Sequence, residues 1–194
     1  MRESLIPERE LHSMAHALLG WQLPERPEEI PSVAWLVERL RSSTVDWRLL
    51  REWVHFDAAG YTRRTVARTP ACELLIISWL PGQASCVHDH GGSGGVSWLV
   101  QGELRETRYA WAGDRLAPET AVRADEGDVL IELSDTIHRI DNASRHGAVS
   151  LHLYAPPMQG MTRYEPVRPP ELVRPRRPLA VSGGPGRRRR PRAT

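Results

Sequence analysis

Eight histidines occur in the 194 residues, and three of them stand where they could hold a metal ion. His88 and His90 flank a single residue in CVHDHGG, and His138 lies in DTIHRIDN. On a strand, side chains alternate with period 2, so His-x-His presents both imidazoles on one face. Two neutral imidazoles converging from one side make a chelating pair for a divalent transition metal. Taken alone, His-x-His is equally compatible with two solvent-facing strand residues. A second group lies in AVSLHLYAPPM, where Val149, Leu151 and Leu153 alternate with Ser150, His152 and Tyr154. One face of this strand is apolar, and the other carries a hydroxyl, an imidazole and a phenol. Such a row can form a relay in which Ser150 orients His152 and His152 orients the Tyr154 hydroxyl. The competing reading is a polar strand face satisfied by its neighbours. His12, His16, His55 and His146 have no comparable context and are read as ordinary surface or core residues.

The elements that must position these groups follow from hydrophobic pattern and punctuation. Residues 1–56 read as helical: ELHSMAHALLG places Leu11, Met14, Ala15, Leu18 and Leu19 at 3.6 spacing, VAWLVERLRS follows Pro31-Ser32, and VDWRLLREWV suggests a third helix. From residue 57 to 166 the character is β. CELLIISWL, GVSWLVQGEL, GDVLIEL and AVSLHLYA are short β-rich runs separated by PGQ, GGSGG, WAGD and DEGD. Short strands at this spacing, with no intervening helix, predict an all-β sandwich or barrel rather than a parallel sheet. Residues 167–194 are rich in Pro and Arg and are expected to be disordered from about residue 180.

Charge and composition narrow the classes further. From Glu165 onward there are nine Arg and two Glu, or +7, so the net +2 leaves −5 on the rest of the chain. The Arg187–Arg190 run lacks interleaved aromatics and is a weak nucleic-acid footprint, so a solvated tail is favoured over a nucleic-acid partner. Cys72 and Cys86 are too few for a disulfide scaffold and lack zinc-site spacing; both read as small buried hydrophobes. No apolar run approaches the ~20 residues needed to span a bilayer, and MRESLIPERELHSM lacks a signal-peptide apolar stretch. A cytoplasmic monomer without membrane contact is the expectation.

The histidine flanks are more specific than the histidines. Gly82, His88, His90, Gly95 and Gly102 form G-x5-H-x-H-x4-G-x6-G, and His138 follows Gly127 and precedes Asn142. This resembles the two-part cupin signature, whose first half usually adds a Glu where this chain has Gly95. The resemblance implies a mainly β cupin (jelly-roll) barrel with N-terminal helices, and a site of three His without a carboxylate ligand. Three neutral imidazoles leave a divalent metal its full charge, which favours an anionic ligand such as a thiolate, and leave positions open for substrate and dioxygen. Zinc also accepts three His, so the ligand set alone does not choose the metal.

One cupin family matches in more detail. YTRR at 61–64, Trp79, HDHGGSGG at 88–95, LVQGELRETRY at 99–109, IHRIDN at 137–142 and SLHLYAPP at 150–157 resemble the thiol dioxygenases headed by cysteine dioxygenase. That resemblance implies Fe(2+) held by His88, His90 and His138. It implies a relay of Ser150, His152 and Tyr154, and Tyr61 and Arg63 at the substrate end, with Arg63 pairing the substrate carboxylate. The implied reaction is L-cysteine plus O2 giving cysteine sulfinate. Animal members carry a cysteine at the position of Gly95, cross-linked to the tyrosine; glycine cannot form that bond, and the sequence is similar to bacterial members. Relatives acting on 3-mercaptopropionate have Gln in place of Arg63 and tend to have Arg near Met161, so this chain is closer to the cysteine type. The remaining alternatives are a dioxygenase for 3-mercaptopropionate or another small thiol, and a non-catalytic metal-binding cupin sensor.

Overall fold

The computed structural model describes residues 15–165. The basic tail and residues 10–14 of the first expected helix, His12 among them, lie outside the described residues. Within them, residues 15–19 are helical, followed by a 3-10 turn at Pro27–Glu29, α1 at Val33–Ser42 and α2 at Trp47–Leu50. Ser32 caps α1, its hydroxyl accepting from the Trp35 amide at 3.2 Å, as expected of a Ser just before an apolar-periodic run. The third helix is shorter than its sequence suggests. Asp46 caps α2, but beyond Leu50 the backbone tightens into i→i+3 bonds such as Trp53 N to Leu50 O at 2.9 Å, a turn that buries Trp53.

Ten strands follow: β1 Thr62–Arg68, β2 Glu73–Trp79, β3 Val87–His88, β4 Gly94–Gln101, β5 Glu103–Ala112, β6 Arg115–Asp125, β7 Val129–Glu132, β8 Ile137–Asp141, β9 Ala148–Ala155 and β10 Arg163–Tyr164. They form two five-stranded antiparallel sheets, ordered β1-β2-β9-β4-β7 and β10-β3-β8-β5-β6. This is the jelly-roll architecture expected from the sequence.

The first sheet is covered on both faces, and that decides where chemistry can sit. Its outer face carries Leu74, Ile76, Val96, Val149, Leu151 and Leu153, which pack with Leu18, Leu19, Leu36 and Leu40 of the helical segments into one core cluster. Its inner face looks toward the second sheet, where Ile77, Trp79 and Leu99 meet Leu104 and Ile140. Every residue of β9 is therefore buried. The apolar residues of β9 point outward under the helices, and its polar residues point into the barrel. Beyond β9 the Ala155–Pro156 peptide is cis.

Leu151 is fully buried at the centre of the helix–sheet layer. Leu151→Ala is expected to lower unfolding free energy by about 2–5 kcal/mol. Urea denaturation checks this; a loss below about 1 kcal/mol would mean that the helices do not seal this face.

Candidate metal centre and relay

His88 ends β3, His138 lies directly opposite it on β8, and both are buried. His90 falls just outside the strand that His-x-His suggests. The chain leaves the sheet after His88 because the Asp89 carboxylate accepts from the Gly91 amide at 2.9 Å, and Gly91 and Gly92 take φ values of +60° and +88° that favour glycine. The three imidazoles nevertheless converge, with donor atoms all within 4.8 Å of one another and His90 Nε2 3.1 Å from His138 Nε2. Two donors bound to one ion at about 2.1 Å stand about 3.0 Å apart when adjacent, so the His90–His138 spacing fits a shared metal.

The outer partners set two of the tautomers. His88 Nδ1 lies 3.0 Å from the Cys86 carbonyl, and His138 Nδ1 lies 2.8 Å from Glu106 Oε1. Both oxygens accept, so each Nδ1 carries the proton and each Nε2 keeps its lone pair for a metal. Glu106 is buried, and the Arg108 guanidinium balances its charge by donating to Oε2 at 3.1 Å. Burial pushes the His88 imidazolium down to about 4, which leaves His88 in the neutral, ligating form near pH 7.

The polar row of β9 is wired from both ends. Trp79 Nε1–H donates to Ser150 Oγ at 3.0 Å, and Ser150 Oγ lies 2.8 Å from His152 Nε2. Having accepted from Trp79, Ser150 turns its own proton to His152, whose Nδ1 must then carry the imidazole proton. Nδ1 faces Tyr154 Oη at 3.1 Å and Ser97 Oγ at 2.8 Å. Ser97 in turn donates to Glu132. With Nδ1–H as donor, the Tyr154 oxygen accepts, and its own proton turns toward the Glu132 carboxylate, which helps to hold the phenol protonated. Burial holds His152 down at about 4 and the Tyr154 phenol well above its usual value, so one stays neutral and the other protonated.

Tyr61, Arg63, Trp79, His88, His138 and Tyr154 share one small cavity, which Met158 and Met161 also line. Tyr61 stacks on Trp79 with ring centroids 4.5 Å apart, so one indole holds both Tyr61 and Ser150. Arg63 Nη2 donates to Glu73 Oε1 at 3.1 Å, and Arg68 donates to Glu73 Oε2 at 3.0 Å. Two guanidiniums on one buried carboxylate leave one positive charge in excess beside the cavity. Gly95 is a close approach: a Cβ there would overlap the Tyr154 ring and stand 2.9 Å from the Leu153 carbonyl.

Sequence reading missed Glu73, Ser97, Glu106 and Glu132. Only strand register reveals them, since Glu132, Gly95, Tyr154 and Glu73 stand in one row across β7, β4, β9 and β2. His16, His55 and His146 are exposed, away from the site.

A jelly-roll barrel carrying three convergent, buried histidines in the cupin positions is a metal-binding cupin. Residues 23–167 match the family described as Cysteine dioxygenase type I. Among curated proteins, cysteine dioxygenase type 1 of Danio rerio is 32% identical over 145 residues, covering 70% of this chain and 70% of that protein. The Homo sapiens protein of the same name is 31% identical over 134 residues, covering 66% of each. Among solved structures, a double-stranded β-helix domain protein from Klebsiella pneumoniae is 19% identical, covers 60% of this chain and 94% of that one, and superposes with a TM-score of 0.49. The chain belongs to the cysteine dioxygenase type I family, and is thereby an oxidoreductase of the dioxygenase kind. Among the described residues, no helix is long and apolar enough to cross a membrane.

Glu106→Gln keeps the size of the His138 partner and removes its charge. Metal affinity is expected to fall about 10- to 100-fold, read by competition with a chelator. An unchanged affinity would mean that the Glu106–His138 bond does not tune the site.

Proposed function

We propose that this chain is an iron-dependent thiol dioxygenase that converts L-cysteine and O2 to cysteine sulfinic acid, with His88, His90 and His138 as the iron ligands. The observation that carries the reading is the shared cavity, lined by His88, His138, Tyr154 and Arg63, with the buried His90 imidazole converging on His138 beside it. Iron bound there would supply the redox chemistry that joins dioxygen to sulfur. The balanced change is thiol plus O2 giving sulfinate and one proton; sulfur loses four electrons and O2 gains them.

The chain's own residues bind, orient and hold protons. Arg63, kept in place by Glu73, offers a guanidinium to the substrate carboxylate, and the excess charge of the Arg63–Arg68–Glu73 cluster favours an anion there. Trp79 fixes Ser150, Ser150 fixes the His152 tautomer, and the Tyr154 proton, which His152 does not take, would swing from Glu132 to oxygen or sulfur as negative charge grows. The apolar wall of Ile77, Ile140, Met158 and Met161 limits water around the reacting atoms.

Oxygen uptake with L-cysteine, coupled to detection of sulfinate, tests the reading. A metal-loaded protein that consumes no oxygen with cysteine or 3-mercaptopropionate would point to the sensor alternative. Faster turnover of 3-mercaptopropionate would move the substrate to that thiol. Tyr154→Phe is expected to lower kcat about 100-fold while leaving metal content unchanged, and normal turnover would remove Tyr154 from the chemistry. Arg63→Gln is expected to lower kcat/KM for L-cysteine about 10- to 100-fold, the loss of one charge-assisted contact. Cysteamine, the same thiol without a carboxylate, should be little affected. An equal loss for both would contradict the carboxylate clamp.

A further inference from the structure

Arg68 follows Arg63 by five residues on β1, an odd spacing that in a regular strand turns two side chains to opposite faces. The register of β1 against β2 brings them to the same face. Arg63 stands opposite Ile77 and Arg68 opposite Glu73, with a shift of one residue between Thr65 and Ala67. This β-bulge takes up Val66 and resets the alternation, so Arg68 turns to the face that Arg63 and Glu73 share. The two oxygens of buried Glu73 are divided between them. Oε1 accepts from Arg63 Nη2 at 3.1 Å and from the Met158 amide at 3.3 Å. Oε2 accepts from Arg68 Nη1 at 3.0 Å. Arg68 Nη2 also donates to the Met158 carbonyl at 3.1 Å, so two acceptors hold its guanidinium. Arg63 lines the cavity and Arg68 does not.

We propose that Arg68 is a positioning residue for substrate recognition: by holding Glu73 Oε2 it limits Arg63 to one contact with Glu73 and keeps the Arg63 fork available to a substrate carboxylate. The inference rests on the reading of Arg63 as the carboxylate clamp and adds the residue that makes the clamp available. An Arg beside a carboxylate tends to pair bidentately, with two parallel N–H···O bonds. Here the second oxygen is already taken, so among the described residues Arg63 reaches Glu73 through Nη2 alone. Its other N–H groups are left for a ligand on the cavity side. Charge argues the same way. Two guanidiniums against one carboxylate leave a net positive charge toward the cavity. Without Arg68, Arg63 and Glu73 would neutralise each other, and a substrate carboxylate would have to compete with a carboxylate already in place. Arg68 is about half exposed and acts through Glu73 without touching the substrate. The bulge at Val66 supplies the reach, since it alone puts Arg68 on the Glu73 side of the strand.

The test uses full-length, iron-loaded protein without oxygen and reads the affinity for L-cysteine and for cysteamine by isothermal titration calorimetry. Wild type is compared with Arg68→Gln, Arg68→Met, the double variant Arg68→Gln/Glu73→Gln, and Arg63→Gln. Thermal unfolding of each variant is the control on folding, and the methionine variant serves if the glutamine variant folds poorly. Both neutral Arg68 variants are expected to lose about 10-fold in L-cysteine affinity, with cysteamine affinity changed less than about twofold. The double variant removes the competing carboxylate together with its counter-charge, and is expected to regain most of the L-cysteine affinity. An Arg68 that merely held the Met158 segment would weaken both ligands alike and gain nothing from the loss of Glu73. Unchanged L-cysteine affinity in a folded Arg68 variant, an equal loss for both ligands, or a double variant no better than the single one would overturn the proposal. If Arg63→Gln shows no selective loss of L-cysteine, the clamp reading fails and this inference with it. A selective loss there, without one in the Arg68 variants, fails this inference alone.

Discussion

Polar groups sealed inside a barrel must satisfy one another, and the rest of this structure follows from that constraint. Ser150, His152 and Tyr154 are carried inward by a strand that is buried along its whole length. Leaving any of them unpaired would cost on the order of 1–3 kcal/mol each. The chain meets the demand with partners from neighbouring strands: Trp79 from β2 and Ser97 from β4, with Glu132 from β7 behind Ser97. Because the Trp79 N–H can only donate and the Glu132 carboxylate only accept, satisfaction also fixes direction. It sets the His152 tautomer and turns the Tyr154 proton away from His152, toward Glu132.

The N-terminal helices belong to the same solution. Alternation on β9 sends Val149, Leu151 and Leu153 away from the barrel, and those residues would face water without Leu18, Leu36 and Leu40 over them. A sheet covered by helices outside can give its inner face to polar chemistry. The second sheet contributes His88 and His138 and the charged pair behind His138, Glu106 with Arg108. Across the cavity from those histidines, Glu73 gathers Arg63 and Arg68.

Much of this was legible in the sequence, and the boundary of legibility has a physical reason. His88, His90 and His138 were recognisable as a converging group because the residues of a signature keep fixed spacing. Ser150, His152 and Tyr154 were recognisable because period 2 puts them on one face. Arg63 was visible only through resemblance, since a lone Arg on a strand is otherwise a surface charge. Glu132 was not visible at all. In GDVLIEL it reads as a polar residue at a strand end, and its place opposite Gly95 depends on a pairing between segments far apart in the chain. Glu73 and Glu106 are hidden for the same reason: burial and partner are properties of register, which one sequence does not display. His90 shows the converse limit, since its imidazole points where the strand rule expects although the strand itself has ended at His88.

The central claim is that the buried imidazole face and the Tyr154 proton together direct dioxygen onto sulfur. Isotope labelling tests it most directly. The iron-loaded protein is given L-cysteine under 18O2 in ordinary water, and the sulfinate is analysed by mass spectrometry. The account predicts that both sulfinate oxygens carry 18O. A product with one or no 18O, its remaining oxygen drawn from water, would contradict it.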